Sequence, residues 1–312
     1  MKNPLVSVIC LCYNQAKFVK EALNSVVNQS YKAVELIVVD DGSSDDSKAI
    51  ILEWLANHEE IPFVNLKENL GNTSAFNQGL KLAKGKYVID LAADDILVAN
   101  RIERQVDFFE RLDSKVGVIY SDANYIDPEG GALYRHFSKT RLHPYEGEVY
   151  QKLIDTYFIP PPTMMIKKEV LDGLGGYDES LAYEDFDFWV RSARNWKYAY
   201  QSEVLTKVRL IEGSHSDNYY GKGDLKLAST VIVCRKIAAM NQTEEEDIAL
   251  IRRLKYEIRH SFLAGKKSEM NDFFGLWASE NTIPYNYLMI KCIGQLGLNF
   301  NWLKKLLKRV LK

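Results

Sequence analysis

Two adjacent aspartates, Asp94 and Asp95, follow an apolar run in GKYVIDLAADDILVAN, residues 85–100. Val88, Ile89 and Leu91 have the character of a buried strand, so the pair stands where that strand would emerge. Carboxylates at such a point suit two chemistries. They can cap a following helix, matching its free N–H groups and its dipole. They can also hold a hard divalent cation bound together with a phosphorylated ligand. A second pair, Asp40 and Asp41, sits in VVDDGSSDDS (38–47), and Tyr13 and Asn14 end the apolar stretch VSVICLCYN (6–14). A third pair, Glu184–Asp185, opens EDFDFWVRSARN (184–195). The plain structural alternatives are an Asx-turn or helix cap for Ser43, Ser44 or Asp45, and helix first-turn carboxylates for Glu184 and Asp185.

The elements that position these residues follow from periodicity. LVSVICLCY and ELIVVD read as strands, and AKFVKEALNSVVNQ between them has helical spacing, with Phe18, Ala22 and Val26 on one face. A helix is expected from the Ser43–Asp46 region to Asn57, then strand PFVNL, a helix in SAFNQGLKLAKG closed by Gly85, and strand KYVIDLA. Continuously apolar strands predict an α/β fold, a mostly parallel central sheet flanked by helices. Ligands in such sheets bind outside the carboxyl ends of the strands, and Tyr13, Asp40–Asp41 and Asp94–Asp95 all fall there. Beyond Arg101 the pattern predicts a helix to about Leu112, strand VGVIYSDANYI, a hairpin turn in DPEGGALY, strand TMMIKKEV, loop GLGGYDESLAYED and the helix from Glu184. From Ser214 onward the texture is that of long amphipathic helices, one starting at the capping box Thr243…Glu246. The expected organisation is an α/β region over 1–213, with halves 1–99 and 100–213, and a C-terminal helical extension over 214–312.

Composition narrows the function. The 312 residues are 46% hydrophobic with a formal net charge of −2, which suits a globular chain and offers no general attraction for nucleic acid. Four cysteines without a CxxC suggest neither a zinc site nor a disulfide framework, and reduced thiols in a cytoplasmic protein are expected. MKNPLVSVICLCYNQ lacks the basic region and cleavage site of a signal peptide, and no apolar run reaches the ~18 residues of a membrane span. GxGxxG after a strand, GxxxxGK[ST] and HExxH are all missing, so a phosphorylated ligand would depend on a metal rather than a glycine cradle. The last twelve residues, NWLKKLLKRVLK (301–312), combine five basic side chains with apolar residues at helical spacing. That pattern suits a helix lying in a membrane interface; packing on preceding helices or on a second subunit, in a homo-oligomer, is the alternative.

VSVICLCYN, VVDDGSSDDS, ENLGNTSAFNQGL (68–80), GKYVIDLAADD (85–95), GGYDE (175–179) and YEDFDFWVR (183–191) occur in that order. Together they resemble the inverting family 2 glycosyltransferases of the GT-A fold, over roughly the first two-thirds of the chain. The resemblance implies transfer of a sugar from a nucleotide-sugar donor, a UDP-sugar by preference, to a carbohydrate acceptor such as a lipid-linked glycan in bacterial polysaccharide synthesis. It implies a donor-binding half (1–99) and an acceptor-binding half (100–213). Tyr13 would stack on the base, Asp40, Asp41 and Asn69 would serve the nucleoside, Asp94 the ribose or metal, and Asp95 would bind Mg2+ or Mn2+. Asp185 would be the general base, with Glu184 as the neighbouring alternative. Ala92 departs from the family's Asp-x-Asp-Asp, Phe76 replaces an expected arginine, and His215 is displaced from the usual spacing after Arg209, leaving it either near the diphosphate or a polar loop residue. The loop YFIPPPTM (157–164) is a candidate acceptor wall. A sugar-phosphate nucleotidyltransferase is the second enzyme reading, although its glycine-rich basic loop is missing. A catalytically inactive carbohydrate-binding protein is the third, because of Ala92.

Overall fold

The computed structural model describes residues 3–211, 225–280 and 282–300. His215 and residues 301–312 lie outside them. By internal packing the chain forms two compact units, Met1–Val149 with Phe158–Glu212, and Tyr150–Tyr157 with Gly213–Lys312. Segment 150–157, part of the α/β region in the sequence reading, thus groups with the C-terminal helices.

The first unit begins with β1 (Val6–Cys12), α1 (Val19–Val27), β2 (Val34–Asp40), α2 (Ser47–Leu55), β3 (Phe63–Asn65), α3 (Asn72–Leu80), β4 (Tyr87–Ala92), β5 (Ile96–Leu97) and α4 (Arg101–Phe109). It continues with β6 (Val116–Ile126), β7 (Ala132–Arg135) and α5 (His136–Thr140). After α6 (Tyr150–Asp155) of the second unit come β8 (Met165–Lys167), α7 (Lys168–Leu174), α8 (Asp185–Ala193) and β9 (Lys197–Arg209). One sheet runs β3-β2-β1-β4-β8-β6-β9-β5, with β7 paired to β6. β3, β2, β1 and β4 are mutually parallel, as their unbroken apolar character requires. β8 enters antiparallel between β4 and β6, whereas β6 and β9 run parallel.

Both faces of the parallel half are covered. Val8, Cys10 and Cys12 of β1 share one core with Ala22 and Val26 of α1, Trp54 of α2, and Val106 and Phe109 of α4. On the opposite face α3 lies so close that a Cβ on Gly79 would stand 2.5 Å from Ile9 Cγ2. Cys10, Cys12 and Cys234 are buried free thiols and Cys292 is an exposed one.

Several expectations change. TMMIKKEV is a strand only over Met165–Lys167 and turns helical at Lys168. Adjacent Val170 and Leu171 are both buried there, and Gly175 closes the helix at φ 72°, the left-handed cap position. The long β9 and the short β5 had no strand assignment. α2 starts at Ser47, and no side chain caps it through Asp46. α3 ends at Leu80, so Gly85 does not close it. Gly85 instead meets β1: its N–H donates to Ser7 Oγ at 2.8 Å, and a Cβ would lie 2.5 Å from the Ser7 backbone nitrogen.

The second unit contains α9 (Lys226–Met240), α10 (Glu244–Ala264), α11 (Lys267–Glu280) and α12 (Tyr285–Gly294) together with α6. α10 begins at the expected capping box, Thr243 Oγ1 accepting from Glu246 N–H, while the Glu246 carboxylate accepts from Gln242 N–H. Arg253 of α10 donates to the Ile154 carbonyl, and Arg252 pairs with Asp155, tying α6 to this bundle. No helix among the described residues is long and apolar enough to cross a membrane.

Because the Gly85 contact is with backbone, it has no flexible side chain to yield. Gly85→Ala is expected to destabilise the first unit by about 1–3 kcal/mol, the usual cost of overpacking. A denaturant titration showing an unchanged midpoint would refute this.

Candidate active site

The loops after β1 and β2 brace each other. Asn14 adopts the left-handed conformation at φ 52°, one that asparagine tolerates. Its Oδ1 accepts from Ser44 N–H at 2.8 Å, and its own N–H donates to Ser43 Oγ at 2.9 Å. Ser43 Oγ in turn donates to Asp40 Oδ1 at 2.5 Å, so Ser43 and Ser44 tie loops together rather than cap α2. The Asx-turn expected in this stretch forms at Asp45, whose Oδ1 accepts from Ser47 N–H. Tyr13 is 45% exposed at the mouth of this arrangement.

Asp41 is buried and accepts from Leu70 N–H at 2.8 Å and Gly71 N–H at 3.0 Å, one on each oxygen. Burial raises its carboxyl pKa, and the two N–H groups oppose the rise. Each oxygen keeps a further lone pair for a ligand donor. Asn69 is exposed beside it, its Oδ1 accepting from Gly71 N–H. Gly42, at φ 68°, allows the two loops to touch, since a Cβ would stand 2.5 Å from the Glu68 carbonyl carbon.

Asp94 and Asp95 sit at the turn between β4 and β5. Asp95 is buried and its Oδ1 accepts from Arg209 N–H at 2.9 Å, while the Arg209 Nε donates to the Asp94 carbonyl at 3.0 Å. The Arg209 guanidinium also donates to the carbonyls of Asp127 and Pro128 and to Glu21 Oε2, and lies over the Phe18 ring. Asp94 is half-buried, with Gln15 Nε2 at 3.5 Å from its Oδ2. Burial raises the pKa of Asp95 well above the carboxylate range, and the Asp94 charge adds to it. Burial likewise raises Asp94.

These two carboxylates supply hard oxygen donors only, the kind Mg2+ and Mn2+ take. Among the described residues no group of three or more His, Cys, Asp or Glu side chains could hold a metal ion by itself. The pair therefore fits a divalent ion whose remaining ligands come from a bound diphosphate and water, and a cation there would reverse the unfavourable charging of two buried neighbours.

The third carboxylate pair is delivered by a clamp. Asn77 Nδ2 donates to the Tyr177 carbonyl at 2.8 Å and its Oδ1 accepts from Tyr177 N–H at 2.9 Å. Ser74 and Asn77 both donate to Glu179, and Phe76, buried in the core, stacks on Tyr177 with ring centroids 4.2 Å apart. Gly176, at φ 82°, leaves room for the Asn77 amide, whose Oδ1 would be 2.4 Å from a Cβ. From α8, Arg191 pairs with Asp187 and donates to the Leu174 and Gly176 carbonyls, which makes it structural. Glu184 and Asp185 then stand at the start of α8, both half-buried.

Asp90, which sequence reasoning passed over, joins this group. It alternates with the buried Ile89 and Leu91 on β4 and accepts a hydrogen bond from the Tyr177 hydroxyl. Burial raises the pKa of Asp185 well above the ordinary range, and the charges of Glu184 and then Asp90 raise it further. Strand alternation places Asp90 on the face of Ala92, which is the one signal in the sequence that could have found it. Arg209 was mentioned only for its spacing to His215, because nothing local marks an arginine as a brace for a turn 114 residues earlier.

A glycosyl transferase family 2 profile matches residues 7–175. The chain is 35% identical over 214 residues to an uncharacterized glycosyltransferase of Rickettsia prowazekii, RP339, covering 67% of this chain and 64% of that protein. It thus spans just under two-thirds of the length of this relative. It is 29% identical over 217 residues to TuaG of Bacillus subtilis, a putative teichuronic acid biosynthesis glycosyltransferase, covering 69% of this chain and 83% of TuaG. Among solved structures, S. aureus TarS 1–349 in complex with UDP-GlcNAc superposes with a TM-score of 0.68 at 21% identity, covering 87% of this chain and 79% of that one. The mannosyltransferase PcManGT from Pyrobaculum calidifontis, in complex with GDP-Man and Mn2+, gives a TM-score of 0.62 at 17% identity, over 93% of this chain and 79% of that one. The fold is thus the GT-A fold that the motif order implied, and the chain belongs to glycosyl transferase family 2.

Proposed function

We propose that this glycosyltransferase moves a sugar from a UDP-sugar to a glycan acceptor with inversion, in bacterial surface-polysaccharide synthesis, and that it depends on Mg2+ or Mn2+. The observation that carries the reading is the convergence of exposed Tyr13, Asp41 and the Asp94–Asp95 turn at the carboxyl ends of β1, β2 and β4, with the 177–179 loop that leads to Glu184–Asp185 clamped onto α3. TarS in complex with UDP-GlcNAc supports a UDP-sugar, PcManGT with GDP-Man and Mn2+ supports the metal, and TuaG supports the polysaccharide setting.

In this reading Tyr13 stacks on the base and Asp41, with Asp40 behind it and Asn69 beside it, accepts from the nucleoside. Asp95, assisted by Asp94, holds the ion, which when bound neutralises charge growing on the departing diphosphate. Asp185 takes the proton from the acceptor hydroxyl. Its raised pKa brings it closer to the working pH, where a general base is most effective. Attack from the face opposite the leaving group inverts the anomeric centre. The nucleotidyltransferase reading has no support in the family match. A binding-only reading draws on Ala92, and hydrolysis of UDP-GlcNAc in the presence of Mn2+ excludes it if observed.

Membrane contact belongs to the same proposal. Five basic residues in 301–312 would add about 1 kcal/mol each near anionic lipid. α12 leaves Tyr285, Leu288, Met289 and Ile293 exposed, apolar residues spaced along one helix face. Deleting 301–312 is expected to release the protein from anionic liposomes while turnover of a soluble acceptor persists, and undiminished liposome binding would end the idea.

Asp95→Asn is expected to abolish turnover and weaken Mn2+-dependent UDP-GlcNAc binding. Activity within a few-fold of wild type would remove Asp95 from the metal role. Asp185→Asn should keep donor affinity and lose transfer by ~10²-fold or more. A base works deprotonated, so activity should fall as pH drops through the raised Asp185 pKa. Glu184→Gln removes a charge that raises it, and should therefore move this acid limb to lower pH; a limb that stays in place argues against Asp185 as the base.

A further inference from the structure

On the far side of β9 from the Asp94–Asp95 turn lies a group of side chains that the reading above does not use. β9 is flanked by β5 and β6: Ile96 is registered with Lys207, and Tyr125 with Val208. One strand therefore separates Tyr125 from Asp95. The Tyr125 hydroxyl stands 3.5 Å from His136 Nδ1 at the start of α5, and its ring stacks on Tyr134 with centroids 4.9 Å apart. Phe137 meets Tyr200 edge to face at 5.2 Å. The β6–β9 register shifts on both sides of Asp122, a local irregularity of the kind that re-aims side chains beside functional sites. Asp122 Oδ1 accepts from Phe137 N–H at 3.3 Å and so holds the chain at His136 in place.

His136 Nε2 is buried, yet no protein group among the described residues is within hydrogen-bond reach of it. A polar atom left so is unfavourable unless something pairs with it. We propose that this region, with His136 at its centre, is a subsite for a sugar unit of the acceptor, the exposed parts of the aromatic side chains packing on the sugar ring and the half-buried His136 ring turning as the sugar enters, so that Nε2 bonds one of its hydroxyls. The proposal rests on the glycosyltransferase reading and deepens it.

Three features select a neutral polyol over a phosphate. The Asp122 charge faces His136, and Tyr125 is within electrostatic reach of Asp95, Asp122 and Asp185, so the surroundings are already anionic. Burial lowers the His136 pKa, which keeps the imidazole neutral with one donor and one acceptor nitrogen. A hydroxyl both donates and accepts, so it matches Nε2 in either tautomer. Tyr125, Tyr134, His136, Phe137 and Tyr200 are each only half-buried, so part of each side chain faces solvent.

The test is histidine ring-nitrogen NMR on the full chain, with His136 signals assigned by difference against His136→Ala. The probes are UDP with Mg2+ and, separately, the methyl glycosides of glucose, galactose, mannose, N-acetylglucosamine and N-acetylgalactosamine. At least one glycoside should shift the His136 nitrogens saturably below about 50 mM, in the weak-binding range expected for one sugar. His136→Ala should weaken that glycoside about tenfold or more, with UDP·Mg2+ affinity changed less than about twofold, and His136→Gln should recover part of the loss. The proposal is overturned if no glycoside shifts His136, if UDP·Mg2+ does so in their place, or if glycoside affinity survives His136→Ala. Wild-type protein that binds a glycoside at His136 but no UDP would instead overturn the UDP-sugar reading and keep the subsite.

Discussion

The site depends on one guanidinium. Arg209, its side chain 2% exposed, joins the end of β9 to the Asp94–Asp95 turn, to the carbonyls of Asp127 and Pro128, and to Glu21 of α1. Its backbone N–H fixes Asp95 as well. Four chain segments that approach one another only through the tertiary fold thus share a single residue. A buried charge with this many partners is held in one geometry, because any partner that moves away leaves a polar group unmatched in a poorly solvated place. A second buried arginine acts similarly nearby: Arg101 donates to the Pro162 and Met164 carbonyls and to Thr206, fixing the 160–164 loop onto β9. Burial pulls the Arg101 guanidinium pKa down to about 9, and the Asp95 charge opposes that fall.

The acidic side chains present the opposite problem. Burial is the largest cause raising the pKa values of Asp90, Asp95 and Asp185; the charges of Glu184 and Asp95 add to it at Asp90, that of Asp94 at Asp95, and those of Glu184 and Asp90 at Asp185. Such a grouping works against stability in the free protein, since desolvated like charges repel. It persists because the surrounding structure overdetermines it, through the Asn77 clamp on one side and Arg209 on the other. Groups set this way are suited to receive a cation or a proton. Ala92, where the family pattern has an aspartate, and Asp90 lie on the same face of β4, so the strand still offers an acid from that face, within electrostatic reach of Asp185.

What the sequence determined by itself was the set of local features. Apolar runs without alternation specified β1, β2 and β4 as parallel interior strands, with doubled aspartates at the carboxyl ends of β2 and β4. The order of the motifs resembles that of family 2 glycosyltransferases, and it was this resemblance, not a local preference, that implied the GT-A fold. The capping box at Thr243 and the turn at 127–131 were equally legible, because both are settled within a few residues.

Tertiary structure decided everything that depends on partners far apart in the chain. β9 mixes polar and apolar residues without strict alternation, and becomes a strand by pairing with β6 over most of its length. TMMIKKEV has strand-like composition throughout, yet only Met165–Lys167 finds neighbours in the sheet, so the rest turns helical to bury Val170 and Leu171. Segment 150–157 groups with helices a hundred residues later. Asp90, Asn77 and Arg209 have ordinary local surroundings and acquire their roles only when α3, β4 and β9 converge. Local sequence sets backbone preference within a few residues, but a hydrogen bond or a desolvated charge is defined by both of its partners, and those meet only in the folded chain.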